Sequence, residues 1–322
     1  MITDIRDVSD GHVSSNIKTE LYDFSPVITG KGSPDYPSGN LVVIPVETPD
    51  FPRNTYVTPA SVLLKLSSGG PATYYNIASG GKFTLKVQAS DWVKLSTNLA
   101  DYKSVDGQGL PYHASEHPEF MQAVVAGAGV NWKQLDANSD GKISRSDATI
   151  LLLIPCRPDL GWASTVWQTI GEVNTPAGTF DFGAHRVIYL SVTKASLQDS
   201  AGNNFLDDTL LKTIMHELLH AFFDLPDRYY NMITGSGQVG SYCNLSETYQ
   251  WVLLNPHDRM KLGWIQPRIL TPDHAHVWLK APAAAASQAA LILLDPARPN
   301  EYWLLENRNE SGSGASAEKT QG

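Results

Sequence analysis

His216-Glu217-Leu218-Leu219-His220 places two imidazoles four residues apart with a carboxylate after the first. On a helix this spacing puts both histidines on one face. Two nitrogen donors so arranged can grip one Zn²⁺ at roughly 2.0–2.1 Å. Glu217 then stands beside the metal, where it can take a proton from a water that the zinc acidifies to a pKa of about 7. That is the chemistry of amide hydrolysis by an activated water. Ionisable groups on an apolar helix are costly unless something satisfies them, and a metal does so.

A helix must carry the pattern. Asp207-Asp208-Thr209 supplies capping oxygens and negative charge at its start, Leu210 begins a run of helix formers, and Pro226 closes it. Leu210, Leu211, Ile214, Met215, Leu218, Leu219 and Phe222 make it apolar on most sides, the mark of an interior helix.

A second constellation lies upstream. Asp136-Ala137-Asn138-Ser139-Asp140-Gly141-Lys142-Ile143-Ser144-Arg145-Ser146-Asp147 has the register of an EF-hand-type calcium loop. Asp136, Asn138 and Asp140 offer alternating oxygens, Lys142 its carbonyl, Ser144 a water-mediated contact and Asp147 the closing carboxylate. Gly141 permits the sharp turn. Asp in the last place is shorter than the usual Glu, which lowers affinity or ligand count. The loop leads into an apolar strand, so we expect Ca²⁺ to be structural there.

Buried strands are expected at 41–46, 149–154 and 186–192, and a half-buried one at 82–88. Helices are expected from Thr58-Pro59 to Gly69-Gly70, and around 119–126 after Pro118. Alternating strands and helices predict a mixed α/β, or α+β, domain with a twisted sheet. Residues 1–40 read as an N-terminal extension, 41–310 as the catalytic domain and 311–322 as a polar, disordered tail. The formal charge is −9, from 24 Lys and Arg against 33 Asp and Glu, which argues against a nucleic-acid partner. No apolar run approaches the ~20 residues of a membrane span. Cys156 and Cys243 either pair or remain thiols.

Several segments, in order, resemble the immune-inhibitor-A family of secreted bacterial metallopeptidases. They are residues 45–52, 74–83, the helix with Leu225-Pro226-Asp227-Arg228-Tyr229 after it, 255–265 and 301–308. The resemblance spans roughly 41–308. It implies a zincin-like fold, catalytic Zn²⁺, a protein or peptide substrate, export from the cell, and further strands beyond Arg308. It also implies an aspartate as third zinc ligand. The family sets that aspartate six residues after the second His, with a glycine between; here Asp227 is seven after His220, and Phe222-Phe223 fills the glycine region. Asp227 is the expected ligand, with Asp224 and Glu247 as rivals. Leu245 falls where the family carries a methionine beneath the metal, with Met232 nearby. Tyr229, Tyr230 and His257 are candidates to hold an oxyanion. The altered spacing also motivates an alternative, a catalytically silent domain that binds a protein or glycan surface.

Overall fold

The computed structural model describes residues 4–6, 37–53, 57–102, 118–156, 163–193, 206, 208–228, 243–245, 253–265, 268–270, 276–278, 290–295 and 298–306. In chain order the elements are β1 (Asp4–Arg6), β2 (Ser38–Glu47), α1 (Pro59–Ser67), α2 (Pro71–Ala78), β3 (Thr84–Ala89), β4 (Val93–Lys94), α3 (Pro118–Gly127), α4 (Trp132–Leu135), β5 (Thr149–Cys156) and β6 (Ala163–Thr169). There follow β7 (Glu172–Thr175), β8 (Gly178–Asp181), β9 (Ala184–Thr193), α5 (Asp208–Phe223), α6 (Pro256–Lys261), β10 (Arg268–Leu270), β11 (His276–Trp278), β12 (Ala290–Asp295) and β13 (Arg298–Glu306). This is a mixed α/β chain with a mostly parallel principal sheet. It divides into two compact units, Ser38–Thr73 with Leu85–Pro226, and Met1–Pro37 with Tyr74–Thr84 and Asp227–Gly322.

The first unit is built on the sheet β3-β2-β5-β9-β6, with β4 also pairing β2. β2 runs parallel to β5 from Leu41↔Thr149 to Pro45↔Leu153, and β5 runs parallel to β9. β6 returns antiparallel to β9, from Ala163↔Leu190 to Thr169↔Ala184. Alternate strand residues point to opposite faces. Val42, Ile44, Ile150, Leu152 and Val187 share one core with Phe120, Met121, Val124 and Val125 of α3. Leu41, Val43, Leu151, Leu153, Ile188 and Leu190, in the alternate positions, are buried as well. Both faces are covered, and that accounts for the nearly unbroken apolar runs of β2, β5 and β9. α1 begins as its sequence predicts: Thr58 and Ser61 form a reciprocal capping box with Pro59 in the first turn. α5 packs on β6 and β9.

The second unit has a small sheet β10-β12-β13, in which β12 and β13 are antiparallel, and a parallel pair β1-β11. Residues 4–6, assigned from sequence to an extension with little structure of its own, therefore pair with 276–278. Tyr75, Phe83 and Trp264 make an aromatic cluster, with ring centroids 5.6 to 6.3 Å apart. Arg259, 1% exposed, donates from Nε to the Leu254 carbonyl at 2.9 Å and pairs with Glu306. Among the described residues no helix is long and apolar enough to cross a membrane. Residues 7–36 and 311–322 lie outside the described residues.

Candidate metal centre

α5 carries His216, Glu217 and His220 as the spacing predicts. It runs from Asp208 to Phe223, so Asp208 falls inside the first turn rather than before it. Ile214, Met215, Leu218, Leu219 and Ala221 are wholly buried. His216 is 2% exposed and Glu217 8%. The two histidine rings stand nearly perpendicular, centroids 4.7 Å apart, with their Nε2 atoms 3.0 Å from each other. Two nitrogens bound tetrahedrally to one zinc lie about 3.3 Å apart, given bonds of roughly 2.05 Å. The observed pair is therefore already close to a ligand spacing.

His220 Nδ1 lies 2.5 Å from the Leu225 carbonyl oxygen. A carbonyl can only accept, so Nδ1 carries the hydrogen and Nε2 presents its lone pair to the His216 side. Outer bonds of this kind fix the tautomer and orientation of metal-binding imidazoles. Asp227 completes the group: His216, His220 and Asp227 each offer a ligand atom, and all lie within 4.8 Å of one another.

Glu217 is held by β6. The Thr165 hydroxyl is 2.7 Å from Glu217 Oε2 and 3.0 Å from the Glu217 backbone carbonyl. One hydroxyl proton serves both, and the shorter bond to a carboxylate is the stronger. The carboxylate is thus tethered through Oε2.

The helix ends at a left-handed residue. Asp224 has φ 52°, and its N–H donates to the His220 carbonyl at 3.1 Å. Glycine is the usual occupant of such a C-terminal turn, and a side chain there costs about 1 kcal/mol. Asp tolerates the region better than most residues. The carboxylate is turned to two arginines. Arg186 Nη2 donates to Oδ1 at 2.8 Å, and Arg145 donates from Nη1 to Oδ2 and from Nη2 to the Phe222 carbonyl. Burial pushes the Asp224 carboxyl up, but the bonds from Arg145 and Arg186 outweigh it and hold it below the ordinary carboxylate range. Arg186 also lies over the Trp167 ring, 4.4 Å from its centroid. Asp224, a rival ligand on the sequence reading, turns its oxygens to these arginines, and it is Asp227 that lies with the two histidines.

Downstream, Arg228 is anchored within the second unit. Its N–H donates to the Leu245 carbonyl at 2.9 Å, and its guanidinium meets Asp258 at 2.6 and 3.2 Å. Leu245, where methionine was expected, is wholly buried. His257 Nδ1 is 3.6 Å from Asp258 Oδ1. Cys243 is a buried free thiol, and the side chain of Cys156 lies outside what is described. Tyr229, Tyr230, Met232 and Glu247 lie outside the described residues.

The 136–147 loop has its sharp turn at Gly141, φ 75°, and Ile143 is wholly buried. Ile143 N–H donates to the Asp181 carbonyl and Asp181 N–H to the Gly141 carbonyl, joining the loop to β8. Asp136 accepts from the N–H groups of Asp140 and Gly141 at 3.1 and 3.0 Å. Asp140 accepts from Lys142 N–H at 2.8 Å and Asn138 Nδ2 at 3.0 Å, and Asp147 from Ser144 N–H at 2.8 Å. The three carboxylates do not converge as the histidine group does. A carboxylate has about four acceptor sites, so these bonds leave capacity for a cation.

Of the residues named from sequence, the structure brings His216, His220 and Asp227 together, with Glu217 on the same helix. Sequence reading missed the roles of Thr165, Arg145 and Arg186. Arg145 sits inside the quoted calcium loop, and Arg186 opens a predicted strand; neither carries a local signal of its partner 79 or 38 residues away. No protein-family model matches the chain, and no curated protein matches it.

Proposed function

We propose that this chain is a zinc-dependent endopeptidase in which His216, His220 and Asp227 hold the metal and Glu217 moves the proton. The observation that carries the reading is the convergence of two imidazoles and one carboxylate within 4.8 Å. Two nitrogens and one carboxylate oxygen would suit Zn²⁺, and three protein ligands are the number that catalytic zinc sites use alongside a water. Bound Zn²⁺ supplies Lewis acidity and brings the pKa of a coordinated water to about 7.

The chain's own residues do the rest. Glu217 takes a proton from the attacking water as its oxygen bonds to the scissile carbonyl carbon. It then gives that proton to the amide nitrogen as the C–N bond breaks. Thr165 holds Oε2 and so orients the carboxylate for both transfers. β6, which supplies Thr165, ends the sheet among the described residues. The backbone groups on its outer edge suit an extended peptide added as a further strand. That favours a polypeptide over a small amide as substrate. The resemblance to exported metallopeptidases supports the same activity, together with a secreted location. The alternative, a catalytically silent domain that binds a protein or glycan surface, was motivated by the altered spacing; the place of Asp227 beside the histidines supports the zinc reading. Ca²⁺ in the 136–147 loop is part of this reading, as a structural ion held by Asp136, Asn138, Asp140, Lys142 and Asp147.

Purified protein assayed on casein, with a chelator control, tests the proposal. Activity is expected to vanish with chelation and return with Zn²⁺. Glu217→Gln is expected to retain stoichiometric zinc and lose at least 100-fold in kcat, the lower range for a general base. A Glu217→Gln protein with full activity would sink the mechanism.

A further inference from the structure

The turn after α5 has a construction that the proposed chemistry does not itself require. Arg145 comes from the loop before β5, and Arg186 from β9. Both reach the end of α5, where they meet the Asp224 carboxylate, and Arg145 also takes the Phe222 carbonyl. The guanidiniums are largely buried, with 25% and 17% of their side chains exposed, whereas Asp224 is 52% exposed. Arg186 is held from the other side by the Trp167 ring. A solvated surface pair has no need of two arginines from separate elements, one of them stacked.

Their common target is the one residue with a left-handed backbone between His220 and Asp227. Three steps along the chain from it stands Asp227. Between them lies Leu225, whose carbonyl accepts from His220 Nδ1. The conformation of Asp224 therefore sets the path of both the carbonyl that orients one histidine and the carboxylate that joins the pair.

We propose that Arg145 and Arg186 are positioning residues for the metal centre: by gripping Asp224 and the Phe222 carbonyl they fix the turn that directs the Leu225 carbonyl to His220 and returns Asp227 to the two histidines. This rests on the zinc reading given above. The arginines touch neither substrate nor metal. They act on the geometry of ligands, so their loss registers first in metal affinity and coordination.

Zn²⁺ affinity is measured by competition with a chromophoric chelator on the full chain, with Co²⁺ absorption reporting coordination. Arg145→Ala, Arg186→Ala and Asp224→Asn are each expected to weaken Zn²⁺ binding about 10- to 100-fold, the usual cost of losing an outer partner of a ligand. Their Co²⁺ bands are expected to move toward those of Asp227→Ala. Asp224→Gly keeps access to the left-handed turn but lacks the carboxylate, and is expected to weaken binding likewise. A merely structural role would lower the melting temperature and leave the Co²⁺ spectrum of folded protein unchanged. Should Arg145→Ala fail to fold, Arg145→Lys carries the test, since a lysine keeps the charge but not the two-pronged grip. Folded variants that bind Zn²⁺ within twofold of the parent, with its Co²⁺ spectrum, overturn the clamp alone. A folded parent that takes up no Zn²⁺ overturns the metal reading and the clamp with it.

Discussion

Asp258 offers a sharp electrostatic test of the segment that follows Asp227. Its side chain is fully buried. It accepts from Arg228 Nη2 at 2.6 Å, Arg228 Nε at 3.2 Å and Asn255 Nδ2 at 2.5 Å. Burial pushes its carboxyl up, but the bonds from His257, Arg228 and Asn255 outweigh that and hold it at about 2, below the ordinary 3.8. At about 1.4 kcal/mol per pH unit, the gap corresponds to a contribution on the order of 2 kcal/mol. The folded value is the depressed one. The contribution is therefore complete above about pH 4 and is lost as the pH falls through about 2. Asp258→Asn removes the charge while keeping the shape. Arg228 is 27% exposed, so water offsets part of its loss, and we expect a deficit of about 2–3 kcal/mol at pH 7. Denaturant unfolding of parent and variant at pH 7, and at steps from pH 5 to 2.5, measures the difference. Other carboxylates titrate in both proteins and cancel. The deficit should shrink steadily below pH 4. A deficit that stays constant down to pH 2.5 would refute the assignment of Asp258 as an ionised, bond-stabilised carboxylate.

Two further outcomes follow from the site. Thr165→Val removes the hydroxyl from Glu217 with little change of shape; a charge-assisted bond of about 1.5–3 kcal/mol is lost. Proteolytic kcat should fall about tenfold or more with zinc content unchanged, and an unaltered kcat would show that Thr165 does not orient the base. Calcium at 100 times its dissociation constant should stabilise the parent by about 2.7 kcal/mol and leave Asp140→Ala unaffected, as read from thermal melts. Equal responses in both proteins would count against the 136–147 loop as the site.

The sheet strands were legible because burial on both faces leaves unbroken apolar runs, as in Thr149 to Ile154. α1 was legible from Thr58-Pro59, whose capping chemistry is local. β6, β7 and β8 were not foreseen: segments such as Glu172-Val173-Asn174-Thr175 are short, and their pairing depends on partners that periodicity does not name. His216, Glu217 and His220 declare themselves because one helical turn brings them together. Asp227 was ambiguous because it lies beyond the end of α5, where the left-handed backbone of Asp224 takes the chain off the helical path and spacing no longer gives position. Three carboxylates stood within reach in the sequence, and spacing alone did not show that Asp224 pairs with Arg145 and Arg186 while Asp227 lies with the histidines. The same holds for Thr165, an ordinary strand threonine until α5 lies across β6.

The stack of Arg186 on Trp167 gives the turn an optical handle. Trp167 is half exposed, and a cation lies over its ring, so its emission senses where that guanidinium sits. The chain has eight tryptophans, and subtracting the spectrum of Trp167→Phe isolates this one. The resulting signal reads the state of the Asp224 turn without substrate, in real time, and in the same cuvette as a metal titration.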